Sequence, residues 1–146
     1  MQKREEKFSI RQMTPNDIED IMRIDRKISG LDRSLTYDIN DVIGGHIDLS
    51  FIAEVDGKTV GFLLSSLAYV SDEICEASVI QTMGVDPNFR RRGIATRLVQ
   101  ALVDTSRSKG IRMIKIMVDK KDNDLIGLFE DLSFARGRFI DYSRIL

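Results

Sequence analysis

The sequence predicts an α+β domain built around one mixed β-sheet, and three observations carry that expectation. Two apolar runs, Leu49 to Val55 and Lys58 to Leu67, flank Asp56-Gly57, a dipeptide suited to the tight turn of a β-hairpin. A strand rich in Val and Ile, Glu76 to Val85, leads through a basic loop into a helical pattern at Ile94 to Ser108. A further alternating stretch, Ile111 to Val118, follows that helix. Strand–helix–strand crossovers are right-handed and join parallel strands. An antiparallel hairpin and a parallel crossover in one short chain require a mixed sheet.

The elements read in order as βααβββαβαβ. Phe8 and Ile10 alternate with polar neighbours, so Lys7 to Met13 is a first strand. Thr14-Pro15-Asn16-Asp17 then starts a helix: Thr14 can cap, Pro15 suits the first helical position, and Asp17 suits the positive helix end. Ile18, Ile21, Met22 and Ile28 form its apolar stripe, and Gly30 stops it. A shorter helix is expected around Tyr37 to Ile43, ended by Gly44-Gly45. After the hairpin and the crossover, Asp122 to Leu132 reads as a helix, and Phe134 to Leu146 as one or two short strands.

Composition narrows the function classes. The chain has 146 residues, 42% apolar and 31% charged, which suits one soluble domain running from Phe8 to Leu146. Lys and Arg (22) nearly balance Asp and Glu (23), which argues against a general nucleic-acid binder. The one cysteine, Cys75, cannot form an internal disulfide. The apolar run from Val60 to Val70 is interrupted by Gly61, Ser65 and Ser66 and is too short to span a bilayer. Met1 to Lys7 is polar and does not read as a signal peptide, so the expected location is cytoplasmic, with no membrane partner.

The chemistry concentrates in Gln81 to Thr96, a strand, a sharp turn at Asp86-Pro87, a basic loop and a helix start. Free N–H groups and partial positive charge make a helix N-terminus a phosphate site. Arg90, Arg91 and Arg92 place cations beside it, Gly93 lets the backbone approach a ligand, and Ala95 keeps the first turn free of bulk. Three consecutive arginines alone are a common feature of solvated loops. The strand before them, and Gly93 and the helix after them, favour a pyrophosphate site.

Arg90-x-x-Gly93-x-Ala95 resembles the Gln/Arg-x-x-Gly-x-Gly/Ala signature of the GNAT superfamily of N-acetyltransferases. Val85-Asp86-Pro87 before it, Ile94 and Leu98 after it, and Leu128-Phe129-Glu130-Asp131-Leu132-Ser133-Phe134 fit the same family. The resemblance covers nearly the whole chain. It implies acetyl-CoA as co-substrate, no metal, and a GNAT-like sheet flanked by helices. The backbone of Met83, Gly84 and Val85 would meet the pantetheine arm, and Val85 N–H would polarise the thioester carbonyl. Amides from Arg91 through Gly93, Ile94 and Ala95 to Thr96 would cradle the pyrophosphate.

The chain departs from the family at several positions. Phe129 stands where many members carry a tyrosine acid, and is read as a core residue. Asp122 and Asn123 are the candidates for the family's cofactor-contacting asparagine, with helix capping the competing role for Asp122. Val79 and Met117 occupy positions that can hold a Glu or His base in relatives. Glu76, Asp119 and Tyr142 remain as acid or base candidates, and His46 reads as surface decoration. Asp32, Ser34, Asp38, Asp41 and Asp48 could favour a cationic acceptor or simply suit a solvated loop. The expected activity is transfer of an acetyl group to a primary amine, of a peptide or a small molecule, by direct attack. The alternative is a CoA-binding sensor with little turnover. A homodimer stays open.

Overall fold

The computed structural model describes residues 6–30, 49–70 and 75–146. Its sheet has five strands in sequence order: β1 (Phe8–Gln12), β2 (Phe51–Val55), β3 (Lys58–Val70), β4 (Cys75–Val85) and β5 (Ile114–Ile116). The first four are joined antiparallel and β5 runs parallel to β4, so the sheet is mixed as the hairpin and crossover require. The helices are α1 (Ile18–Ser29), α2 (Ile94–Ser108) and α3 (Asn123–Asp131).

Alternation along the strands divides the core into two layers. Phe51, Ala53 and Val55 of β2 and Leu63 of β3 pack with Leu98, Val99 and Leu102 of α2 and Phe129 of α3. Ile52, Phe62 and Leu64 point the other way and pack with Ile21 and Ile24 of α1. The sheet is therefore filled on both faces, with α1 on one side and α2 and α3 on the other.

The start of α1 is held by charge. Pro15–Asp17 forms a 3-10 turn, and the Asp17 carboxylate accepts the Thr14 N–H at 2.8 Å. Arg11 of β1 grips the same carboxylate with two guanidinium nitrogens at 2.7 and 2.8 Å, and its Nε also bonds Glu54 of β2. The bidentate Arg11 contact holds the Asp17 carboxyl below the ordinary carboxylate range, outweighing the opposite push of burial. α1 ends at Gly30, whose N–H returns to the Arg26 carbonyl at 2.8 Å.

Two expected elements differ. Phe134 to Leu146 forms no strand: Phe139, Ile140, Tyr142, Ile145 and Leu146 are exposed, with Lys115 and Arg138 against the Phe139 ring. Its apolar alternation finds no pairing edge, because β5 has only three residues where Ile111 to Val118 was expected. The expected helix at Tyr37 to Ile43 lies outside the described residues. So do His46 and the acidic positions Asp32, Asp38, Asp41 and Asp48.

α1 is seated on β4 at Gly84. A Cβ there would lie 2.6 Å from Ile28 Cδ1 and 3.0 Å from Phe62 Cε1, so the helix approaches only because the side chain is missing. Gly84→Ala should cost about 1–3 kcal/mol by overpacking. Ile28→Val removes the closest atom, so the double variant should be less destabilised than the sum of the singles in urea melts. Additive losses would place the strain elsewhere.

Asp17 sets an acid limit. A carboxyl whose folded pKa is depressed adds stability above its unfolded pKa of about 3.9 and loses it as pH falls through the folded value. Wild-type stability should hold steady down to about pH 4 and drop beneath it. Asp17→Asn should be destabilised at neutral pH and should show a shallower acid limb in pH-dependent thermal melts.

Candidate functional site

The site is organised by one extra residue in β4. In the pairing with β3, Ile80 faces Ser65 and Thr82 faces Leu64, so Gln81 has no partner of its own. Such a bulge bends a strand and shifts its side-chain alternation by one. The consequence is visible in the core: Ile80, Met83 and Val85 all pack on the α2 face, although 80 and 83 differ by three. The Gln81 side chain donates to Ser66 Oγ at 2.8 Å across the hairpin.

β5 parts from β4 at the same place. It pairs only with Ser78, Val79 and Ile80. A buried hydroxyl contact, Ser78 to Ser106 of α2 at 2.8 Å, anchors the sheet just before the parting. Beyond it, Gln81–Val85 has a strand on the β3 side alone among the described residues. Five residues offer about 16 Å of strand edge.

That edge runs toward the N-terminus of α2. Asp86 closes the strand, Pro87–Phe89 makes a 3-10 turn, and Gly93 at φ +75° is the N-cap of α2. The first N–H that bonds back within the helix is Arg97, to the Gly93 carbonyl at 3.1 Å. The amides of Ile94, Ala95 and Thr96 precede it and lack intrahelical acceptors. A Cβ built at Gly93 meets nothing within 4 Å, so this end of the helix opens onto space. A ligand of matching shape would lie extended along Gln81–Val85 and set an anionic group on α2.

The three arginines separate in role. All are exposed. Arg90 and Arg91 form no ion pair with any described residue, and Arg91 holds a left-handed φ of +64°. Arg92 is turned to Glu6 and stacks over the Phe89 ring at 4.9 Å, so it braces the loop against the N-terminal segment.

Phe129 is 4% exposed and meets Phe134 edge-on at 5.0 Å between ring centres, as a core residue should. Asp122 caps α3 by accepting the Leu125 N–H at 3.1 Å, and Asn123 is exposed beside it. The acid and base candidates are not gathered. Glu76 is exposed near the start of β4, roughly 30 Å of strand from Val85. Tyr142 is 87% exposed on the strandless C-terminal segment, and Met117 is 81% exposed just past β5. Among the described residues no group of His, Cys, Asp and Glu could hold a metal ion, and no helix is long and apolar enough to cross a membrane.

The strand edge that begins at the bulge thus ends on a helix N-terminus behind Arg-x-x-Gly-x-Ala. The Acetyltransferase (GNAT) family matches residues 16–134 of the chain. The chain belongs to this family. An uncharacterised N-acetyltransferase of Methanocaldococcus jannaschii is 33% identical over 85 residues, covering 58% of this chain and 38% of that protein. The L-2,4-diaminobutyric acid acetyltransferase of Nocardia farcinica is 29% identical over 86 residues, covering 59% and 43%. The chain thus spans less than half the length of either relative. Among solved structures, the aminoglycoside N-acetyltransferase AAC(6')-Iy in complex with CoA superposes over 99% of both chains with a TM-score of 0.81 at 22% identity, a likeness of fold.

Two residues of the segment Gln81 to Thr96 have contacts that its sequence does not show. Gln81 opens that segment in the sequence, but its place as the unpaired residue of β4 comes from the pairing with β3. Asp86, read in the sequence as a strand end and as part of the Val85-Asp86-Pro87 run, is fully buried. Its carboxylate accepts from Asn88 N–H at 3.0 Å and Lys27 Nζ at 3.1 Å. Burial pushes its pKa up, but the Asn88 amide and the Lys27 and Arg23 cations hold it below the usual carboxylate range.

Gly93 separates backbone demand from charge. Asn and Asp both tolerate left-handed backbone better than other side chains and have nearly the same shape. Gly93→Asn should lower the melting temperature slightly and keep most of the stabilisation by acetyl-CoA. Gly93→Asp should lose most of it by repelling the pyrophosphate. Equal shifts in the two variants would put the phosphates elsewhere.

Proposed function

We propose that the protein is an acyl-CoA-dependent N-acyltransferase that transfers the acetyl group of acetyl-CoA to a primary amine. The carrying observation is the edge of Gln81–Val85, unpaired among the described residues, leading to the open N-terminus of α2. The relatives support the reading: AAC(6')-Iy is seen both with CoA and with a CoA–acetylneamine bisubstrate analogue, and the Nocardia farcinica relative is named for an amino-acid amine.

In this reading the pantetheine arm runs along Met83, Gly84 and Val85. The amides from Arg91 to Thr96, with Arg90 and Arg91, hold the pyrophosphate. No metal takes part. The thioester then lies on this strand edge, where Val85 N–H polarises its carbonyl. The neutral amine attacks that carbon, a C–N bond forms, the C–S bond breaks, and the amine proton passes to solvent. Positioning is the main contribution. The thiol has a pKa of about 8.5, so the thiolate leaves near neutral pH without a dedicated acid.

Phe129 favours a second reading, a CoA-binding sensor, because a buried phenyl ring supplies no proton. The two differ in turnover. A transferase releases CoA from acetyl-CoA in the presence of some member of a panel of aminoglycosides, diamino acids and peptide N-termini. Binding of acetyl-CoA without CoA release on any of them favours the sensor.

The pH profile tests the proton path. With no tyrosine acid, turnover should rise as the acceptor amine deprotonates and then hold a plateau. An alkaline limb would reveal an essential acid. If Tyr142→Phe abolished such a limb, the exposed C-terminal segment would have to fold over the thioester during turnover.

A further inference from the structure

We propose that Asp86 is a positioning residue through which α1 sets the geometry of the phosphate-binding loop. The inference rests on the reading of Gln81 to Thr96 as the cofactor site and adds the mechanism that holds it.

Asp86 joins four parts of the molecule. Its N–H donates to the Val60 carbonyl of β3 at 2.7 Å, and its carbonyl accepts the Phe89 N–H at 2.8 Å. One carboxylate oxygen takes the Asn88 N–H at 3.0 Å and so shapes the turn that leads to Arg90–Gly93. The other faces two cations of α1, Lys27 Nζ at 3.1 Å and Arg23 at 3.8 Å. Lys27 and Arg23 are four apart and share one helix face. Arg23 also donates to the Thr59 carbonyl at 3.2 Å, which ties the pair to the β2–β3 hairpin.

A fully buried carboxylate costs several kcal/mol in desolvation unless it is paired and hydrogen-bonded. Asp86 is paired, but to side chains that remain about a third or more exposed, 32% for Arg23 and 41% for Lys27. That is a weak arrangement for raw stability and a strong one for geometry. The carboxylate has one low-energy place, and the Asn88 amide follows it. Ile28, one residue beyond Lys27, rests on Gly84. The last turns of α1 therefore brace both the strand edge and the head of the loop.

The test uses the full chain and reads acetyl-CoA affinity by calorimetry and exchange of the 88–93 amides in the free protein. Asp86→Asn keeps shape and an acceptor for Asn88 but loses the charge. Lys27→Met loses the charge from the other side at a partly exposed position and keeps the fold testable should Asp86→Asn unfold. Each should weaken acetyl-CoA at least fivefold and speed exchange of the loop amides, with β2 and β3 amides unchanged. Lys27→Arg should restore affinity, and the double variant should be no weaker than Asp86→Asn. Where turnover is measured, KM for acetyl-CoA should rise and kcat stay within twofold. Unchanged affinity with unchanged loop exchange overturns the proposal and leaves the cofactor site standing. Faster loop exchange with unchanged affinity overturns both.

Discussion

The parting of β4 from β5 at Gln81 is the constraint on which the site depends. A strand in the middle of a sheet has both edges satisfied and offers nothing to a ligand. Among the described residues β4 is central only over Ser78–Ile80, between β3 and β5, and is an edge from Gln81 to Val85. The unpaired residue makes that change without breaking the core, because the shift in alternation returns Met83 and Val85 to the same apolar layer as Ile80. The Ser78–Ser106 contact pins the last paired residues to α2, so the opening starts at a defined point. An unpaired edge normally invites association with another strand. In this family member the same edge is short and leads straight to a helix terminus, which suits an extended ligand with an anionic end.

Electrostatics is used here for alignment more than for stability. Arg11–Asp17–Glu54 ties β1, β2 and the entry to α1. Arg23 and Lys27 with Asp86 tie the exit of α1 to the end of β4. Each cluster centres on a buried carboxylate, and among the described residues no buried side-chain polar atom lacks a hydrogen-bond partner. α1 is thus fixed at both ends by charge and along its length by Ile21 and Ile24. Arg92 plays a similar part on the loop's far side, held by Glu6 and Phe89. Of the basic run, this leaves Arg90 and Arg91 as the cations without a pairing carboxylate among the described residues. A contiguous charge run in sequence is therefore not a contiguous charge patch in function.

The proton path differs from the cofactor path in how much of it the fold supplies. Everything proposed there to hold the cofactor lies on one continuous segment, Met83 to Thr96. For the proton the fold supplies less: Phe129, sealed against Phe134, has no proton to give, and Glu76 and Tyr142 are exposed. A good leaving group lowers the demand for an acid, so such a scaffold is compatible with turnover. Acceptor recognition, by contrast, needs side chains on loops, which vary freely on a fixed fold.

Local chemistry was legible in the sequence wherever a feature is decided by neighbours along the chain. The Asp56-Gly57 turn, the Gly30 stop, the span of α2 and the Asp122 cap depend on dihedral preference and short-range hydrogen bonds, and they fall where expected. The fold class and the Arg-x-x-Gly-x-Ala signature were readable for the same reason, since alternation and motif are local patterns. What the tertiary structure alone decided is long-range. Register between β3 and β4 makes Gln81 the unpaired residue, although nothing in its own sequence window marks it. Packing brings Lys27 and Arg23 to Asp86 across 59 and 63 positions of chain, and seats Ile28 on Gly84. The C-terminal apolar alternation, which looked like a strand, found no edge long enough to pair with. Periodicity states which residues can share a face. Only the assembled sheet states which edges are left free, and the proposed site lies on one of those edges.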